Sequence, residues 1–198
     1  MKEIQWISPR VSYSEQNNTF IMVFIPERNK RKMFLLFLWI FSWTCCGIYI
    51  MVHAFSQRDN NWFIFGLIYL FFWLYFEILV LRVFHWRKWG KEILIIRNGT
   101  IEYEKIQAGR KRLKKIDIHL VKECRNSELN EKNWGDFFTT SFWHIGKPRL
   151  EIEGGGIFLR FGFQLHDAEA SEACKKINRF LKFYRNRYEN KKEDGKNF

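Results

Sequence analysis

The sequence predicts an α+β membrane protein: a transmembrane helical hairpin joined to a small antiparallel β-barrel or sandwich, closed by a C-terminal amphipathic helix. Three observations carry this. Two apolar runs, Met33 to Phe55 and Trp62 to Phe84, are separated by only six residues. From Glu92 onward, short stretches of period-two alternation are punctuated by glycine turns. From Asp167 the apolar residues recur every three to four positions.

The two runs come first because they are the strongest signal. At 1.5 Å per residue either reaches ~30 Å, enough to cross a bilayer core. The linker Ser56 to Asn61 forces the second run back antiparallel to the first. The first run contains no Asp, Glu, Lys or Arg. It is preceded by 32 residues of strand-like and polar sequence, unlike a cleavable signal peptide, and reads as a retained anchor. Basic clusters flank the hairpin at Arg28, Lys30, Arg31 and Lys32, and again at Arg82, Arg87, Lys88 and Lys91. The external linker holds one Arg and one Asp. The positive-inside rule therefore places both termini in the cytoplasm, in a multi-pass protein of the cell's inner membrane. Trp62 and Trp86 bracket the second run at the positions of an aromatic belt.

Inside the hairpin, Ser42, Cys45, Cys46 and Gly47 form the small-residue patch of the first helix, with Gly66 its counterpart in the second. Glu77 is the one acidic residue within the second run. Ionisable groups at membrane depth are costly and mark contacts or pathways. Glu77 lies about 10 Å from the cytoplasmic end, at the depth of Ser42. Glu77, Ser42 and Gly66 are thus the expected intramembrane contacts, to the neighbouring helix or to a partner subunit. Ion conduction is disfavoured, because one hairpin supplies only one such group.

Residues 1–32 carry two strand-like pieces, Val11 to Ser14 and Thr19 to Ile25, around Gln16-Asn17-Asn18. Phe20 to Ile25 is apolar on both faces, as in a doubly buried strand, and Pro26 stops it. This hairpin either joins the C-terminal domain or lies on the membrane surface.

The cytoplasmic domain is expected over 85–188, with a polar tail at 189–198. Ile93 to Ile96 and Ile101 to Tyr103 flank Asn98-Gly99, the strongest short-range hairpin signal. Gly109 to Lys115 is a basic stretch, in which Arg110, Lys111, Arg112, Lys114 and Lys115 would face lipid or phosphate. Ile116, Ile118 and Leu120 follow on one strand face. Residues 126–135 read as a loop and Asp136 to His144 as an aromatic strand, with Phe137, Phe138, Phe142 and Trp143 as partner-docking residues. Leu150 and Ile152 precede the turn Gly154-Gly155-Gly156, and Ile157 to Phe163 alternates again. Asp167 caps the last helix, and Ala170, Ala173, Cys174, Ile177, Phe180, Leu181 and Tyr184 form its apolar face.

Several of these stretches resemble a known family. EILIIRNGTIEYEK (92–105) resembles the opening hairpin of bacterial pleckstrin-homology-like domains, and IDIHLVKE (116–123) their next strand. Arg149 to Leu181 is similar to their closing hairpin and helix, with Leu165, Asp167, Glu169 and Ala170 at the positions of a Leu-x-Asp/Ser-x-Glu-x-Ala segment. Many such proteins carry two transmembrane helices before the domain. The resemblance covers about 85–198 and implies a fold whose members bind proteins or lipids rather than catalyse reactions.

No catalytic set emerges. Asp117 and His119 share a strand face without a nucleophile, His144 lies near Ser141 without a third member, and the glycine run joins strands rather than opening a helix. The four cysteines include no C-x-x-C, so neither a metal site nor a cofactor is expected. The net charge of +12 is absorbed by the juxtamembrane clusters and one helix face, which argues against nucleic acid. The expectation is a non-enzymatic, membrane-anchored binding or scaffold protein. It would be an accessory or assembly subunit of a membrane complex or a homo-oligomer, in contact with anionic lipid headgroups. The alternative is a ligand-gated effector. Its β-domain would sense a nucleotide through the basic stretch, with Tyr103, Phe137, Phe138 or Trp143 stacking on the base, and would drive oligomerisation of the hairpin.

Overall fold

The computed structural model describes residues 3–16, 18–56, 60–127 and 144–194, with Asn60 and residues 188–194 described by backbone alone. Among the described residues, nine strands form two antiparallel sheets. The first sheet contains β1 (Gln5–Ser8), β2 (Val11–Gln16), β3 (Thr19–Phe24), β4 (Lys91–Arg97), β5 (Thr100–Gln107) and β6 (Arg110–Asp117), in that order. The second contains β7 (Val121–Asn126), β8 (Pro148–Gly154) and β9 (Ile157–Phe163). Helices α1 (Lys30–Ser56) and α2 (Asn60–Trp89) lie between β3 and β4, and α3 (Asp167–Asp194) follows β9.

The N-terminal strands join the C-terminal domain. β3 pairs with β4 from Phe20↔Ile96 to Phe24↔Glu92, so adjacent strands of one sheet are separated in sequence by the whole helical hairpin. The apolar alternation of β3 explains this. Phe20, Met22 and Phe24 enter the core while Ile21 and Val23 are half-buried on the other face, a pattern suited to a central strand.

Both sheets and α3 share one core. Tyr13, Met22, Leu94 and Tyr103 form one rank across the first sheet, and Phe20, Ile96, Ile101 and Ile116 the next. Leu150, Ile152, Leu159 and Phe161 face them from the second, and Ala170, Ala173, Ile177, Phe180 and Leu181 seal the space from α3. Arg10 ties the N-terminal turn to the start of α3, pairing with Glu169 and donating to the Gln164 carbonyl at 3.1 Å. Asn178 of α3 covers β7: its Oδ1 accepts from Cys124 N at 2.7 Å and its Nδ2 donates to Cys124 O at 2.9 Å. A polar side chain thus caps an edge strand that would otherwise offer free backbone groups.

Some expectations need correction. No closed barrel forms among the described residues, because β1 and β6 stay as free edges of the first sheet. A 3₁₀ turn, Ile118–Leu120, capped by Asp117 Oδ1 accepting from His119 N at 3.0 Å, carries the chain to the second sheet. Leu120 consequently points outward while Ile118 is buried. The basic stretch 110–115 is strand β6, entered through a two-residue turn with positive φ at Ala108 and Gly109. Asp167 forms an ion pair with Arg149 at 3.0 Å, and Glu169 accepts from His166 N at 3.0 Å to cap α3. The aromatic segment holding Phe137, Phe138, Phe142 and Trp143 lies outside the described residues.

Asn29 caps α1, its side chain accepting from Arg31 N at 3.0 Å, and both long helices are apolar and long enough to cross a membrane. Of their most apolar stretches, only 11% and 17% is buried within the protein, unlike a core helix. The two pack antiparallel through close contacts at glycine. A Cβ on Gly47 would lie 2.1 Å from the Trp73 ring, and one on Gly66 would lie 2.5 Å from Ala54 Cβ. Trp73 Nε1 donates to Trp43 O at 2.9 Å, and Trp43 Nε1 donates back to Trp73 O at 3.4 Å.

Candidate functional site

α2 does not end where its apolar run ends. It continues to Trp89, bringing Trp86 against the sheet, and Gly90 turns the chain directly into β4. A Cβ at Gly90 would sit 2.2 Å from the Trp86 carbonyl oxygen, so only glycine permits so abrupt a turn. Trp86 is fully buried, its ring 5.9 Å from Phe163 in an edge-on contact, instead of lying in an interfacial belt. Lys105 Nζ lies over both rings, 4.4 Å from Trp86 and 3.6 Å from Phe163.

Beneath this aromatic pair is Glu92, in phase with Leu94 and Ile96 on the core face of β4. It is 1% exposed. One carboxylate oxygen accepts from the Tyr103 hydroxyl and the other from Gly162 N and Phe163 N, each at 3.0 Å. Gly162 has φ +74°, and its Arg149 neighbour drops out of the β8–β9 pairing. The left-handed backbone at Gly162 turns two successive N–H groups toward the carboxylate. Burial pushes the Glu92 carboxyl up, against the opposing pull of Tyr103, the two N–H groups and the Lys105 ammonium. Burial and the Glu92 charge push the Tyr103 hydroxyl up. Burial lowers Lys105, with Arg112 and Arg82 adding to the effect and Glu92 opposing it.

That like-charge cluster opens into a cleft of about 480 Å³ between α2 and the β5–β6 turn, lined by Arg82, His85, Lys105, Gln107, Arg110 and Arg112 among others. Among the described residues, no Asp or Glu lines it. Strand alternation divides the basic residues of β6. Arg110, Arg112 and Lys114 lie in the phase of Lys105 and Tyr103, whereas Lys111 and Lys115 lie in the opposite phase. There Lys111 pairs with Glu104 at 2.6 Å and Lys115 with Glu102 at 2.7 Å. The five basic positions of the sequence reading therefore do not act together. Two are neutralised on one face, and two others join Arg82 and Lys105 on the cleft. Tyr103 is buried and bonded to Glu92, so it presents no face to a base.

In the hairpin, Glu77 is buried and Oε1 accepts from the Thr44 hydroxyl at 2.9 Å. Its Oε2 has no hydrogen-bond partner among the described residues. Ser42 is exposed, and Gly66 packs on Ala54. Thr44 was missed because depth matching selected Ser42, whereas the facing side of α1 is set by Gly47 and Thr44. Glu92 was missed too, although an acidic residue in phase with Leu94 and Ile96 is a readable signal.

Comparison with protein-family models, with curated proteins and with solved structures found no match to this chain.

Proposed function

We propose that the chain is a membrane-anchored, non-catalytic binding protein, an accessory or assembly subunit of a larger membrane complex. The observation that carries this reading is the β3–β4 pairing. It makes the helical hairpin a long excursion from one sheet, so the β-domain is held against the bilayer at two adjacent strands rather than hung on a tether. The apolar surface of α1 and α2, with Phe34 64% and Phe71 72% exposed, then faces lipid and partner helices. The basic groups near the sheet end of the hairpin favour a cytoplasmic β-domain by the positive-inside rule. The pleckstrin-homology-like reading is supported by two antiparallel sheets followed by one helix packed on them. Against the nucleotide-gated alternative, Tyr103, one of the residues expected to stack on a base, is buried and bonded to Glu92.

The test is recovery of the tagged full chain from native membranes in mild detergent. A discrete membrane protein should co-purify, and Glu77→Leu should lower its recovery at equal expression. Glu77→Gln, which keeps the Thr44 contact, should lower it less. Lone monomers in every detergent would overturn the proposal.

A further inference from the structure

The basic cleft has a continuation. Arg82 and Ile78, which line it, also line a second groove of about 360 Å³ on the neighbouring side of α2. That groove runs toward the membrane half of the helix along Tyr75, Leu79 and Val83, and is closed by Ile145 of the chain returning to β8. Its described lining is largely apolar, whereas the cleft above it gathers Arg82, Lys105, Arg110 and Arg112 without an acidic residue among the described residues. A cationic compartment and an apolar one therefore meet at a single helical turn, where α2 leaves the apolar stretch and enters the domain.

We propose that this composite site holds one anionic phospholipid, its phosphate among Arg82, Arg110 and Arg112 and an acyl chain along Tyr75, Ile78 and Leu79. The ligand class follows from charge complementarity and from the join. A free phosphate would satisfy the cleft but leave the groove empty, and an apolar molecule would leave the guanidinium groups without a counter-charge. Guanidinium forks suit phosphate oxygens, and Arg82 stands where a headgroup phosphate lies relative to a helix whose next two turns are apolar except for Glu77, which is turned to Thr44 of α1. Lys105, withdrawn over Trp86 and Phe163, forms the floor and contributes charge from behind. This inference rests on the membrane placement of α1 and α2 proposed above.

The experiment uses the full chain, delipidated in a non-ionic detergent and titrated with phosphatidylglycerol, phosphatidic acid, phosphatidylcholine or inorganic phosphate, with the thermal midpoint as readout. The two anionic lipids should raise the midpoint saturably at concentrations where phosphatidylcholine and inorganic phosphate do not. Arg82→Gln with Arg112→Gln should weaken the apparent affinity about 25-fold, at about fivefold for each charge removed. Lys111→Gln with Lys115→Gln removes equal charge from the opposite face of the same strand and should change it less than twofold. Equal losses in the two double variants would reduce the site to general surface charge and overturn it. An equal midpoint shift with inorganic phosphate would assign the cleft to a soluble phosphate and overturn the lipid. If the first double variant does not fold, Arg110→Gln at the exposed turn gives the same reading at about fivefold. Retention in the membrane pellet after an alkaline wash reports on anchoring separately, so failure of that reading is distinguishable from failure of the lipid site.

Discussion

Glu92 accepts from one hydroxyl and two backbone N–H groups, so replacing it with an apolar residue strands three buried donors at once. Each such orphan costs about 1–3 kcal/mol, and Glu92→Leu should therefore destabilise the protein by about 3 kcal/mol or more in denaturant titration. Glu92→Gln retains acceptors for the N–H groups and should lose less. The same residue predicts a pH dependence. Its carboxyl is raised by burial, so the folded chain holds that proton more tightly than the unfolded chain does. The associated stability is complete below the ordinary carboxylate range and is lost as pH rises through the raised value. The stability of the native protein relative to Glu92→Gln should thus fall from acid toward neutral pH. A gap that instead grows with pH would mean that Tyr103 and Lys105 keep the group ionised. Much of this was legible, since Glu92 shares its phase with Leu94 and Ile96. The left-handed backbone at Gly162 that completes the site was not, because a positive φ in a strand leaves no mark beyond the glycine itself.

At the scale of elements, the hairpin depends on a close approach at Gly47, where an added methyl would collide with the Trp73 ring. Gly47→Ala should cost about 1–3 kcal/mol by overpacking and disturb the reciprocal Trp43 and Trp73 bonds, which tryptophan near-ultraviolet dichroism would register. The small-residue patch around Gly47 was visible in the sequence. Its inward member was not, because Cys45 and Cys46 are equally small yet face outward. The end of α2 was misplaced for a related reason. Apolarity stops at Phe84, but nothing breaks the helix before Gly90. β6 shows no alternation over 110–115 because both faces are exposed there, and only Ile116 enters the core. Its register is fixed by Glu102 and Glu104 on β5, a signal that lies in the partner strand.

At the scale of the whole molecule, the first sheet is interrupted in sequence by two helices. Phe24 and Glu92 are direct partners across β3 and β4, so a short turn can close the pair at the loss of Trp86, which packs on Phe163. A chain in which residues 26–90 give way to a four-residue turn should fold as a monomeric soluble domain with a cooperative thermal transition. A fragment beginning at Lys91 should not, since it lacks Val11, Tyr13, Phe20, Met22 and Phe24 of the core. Circular dichroism melts of the two would decide this. A well-folded 91–198 fragment would mean that the N-terminal strands are dispensable. No local pattern announces a pairing across so long an interval. Only the two-sided apolarity of β3 hinted that it needed neighbours on both sides.

That pairing also imposes a timetable. β3 leaves the ribosome roughly 70 residues before β4, a delay of roughly 3 to 14 s at about 5–20 residues per second. Throughout it, the run Phe20 to Ile25 is an unpaired, aggregation-prone segment on one side. The sheet cannot close until both helices have been made and the chain returns as β4. On the proposed membrane placement, insertion of the helices therefore comes before the sheet is complete. A chain cut short within the hairpin would leave β3 without the neighbour it needs, and so exposed to proteolysis rather than released as a stable domain.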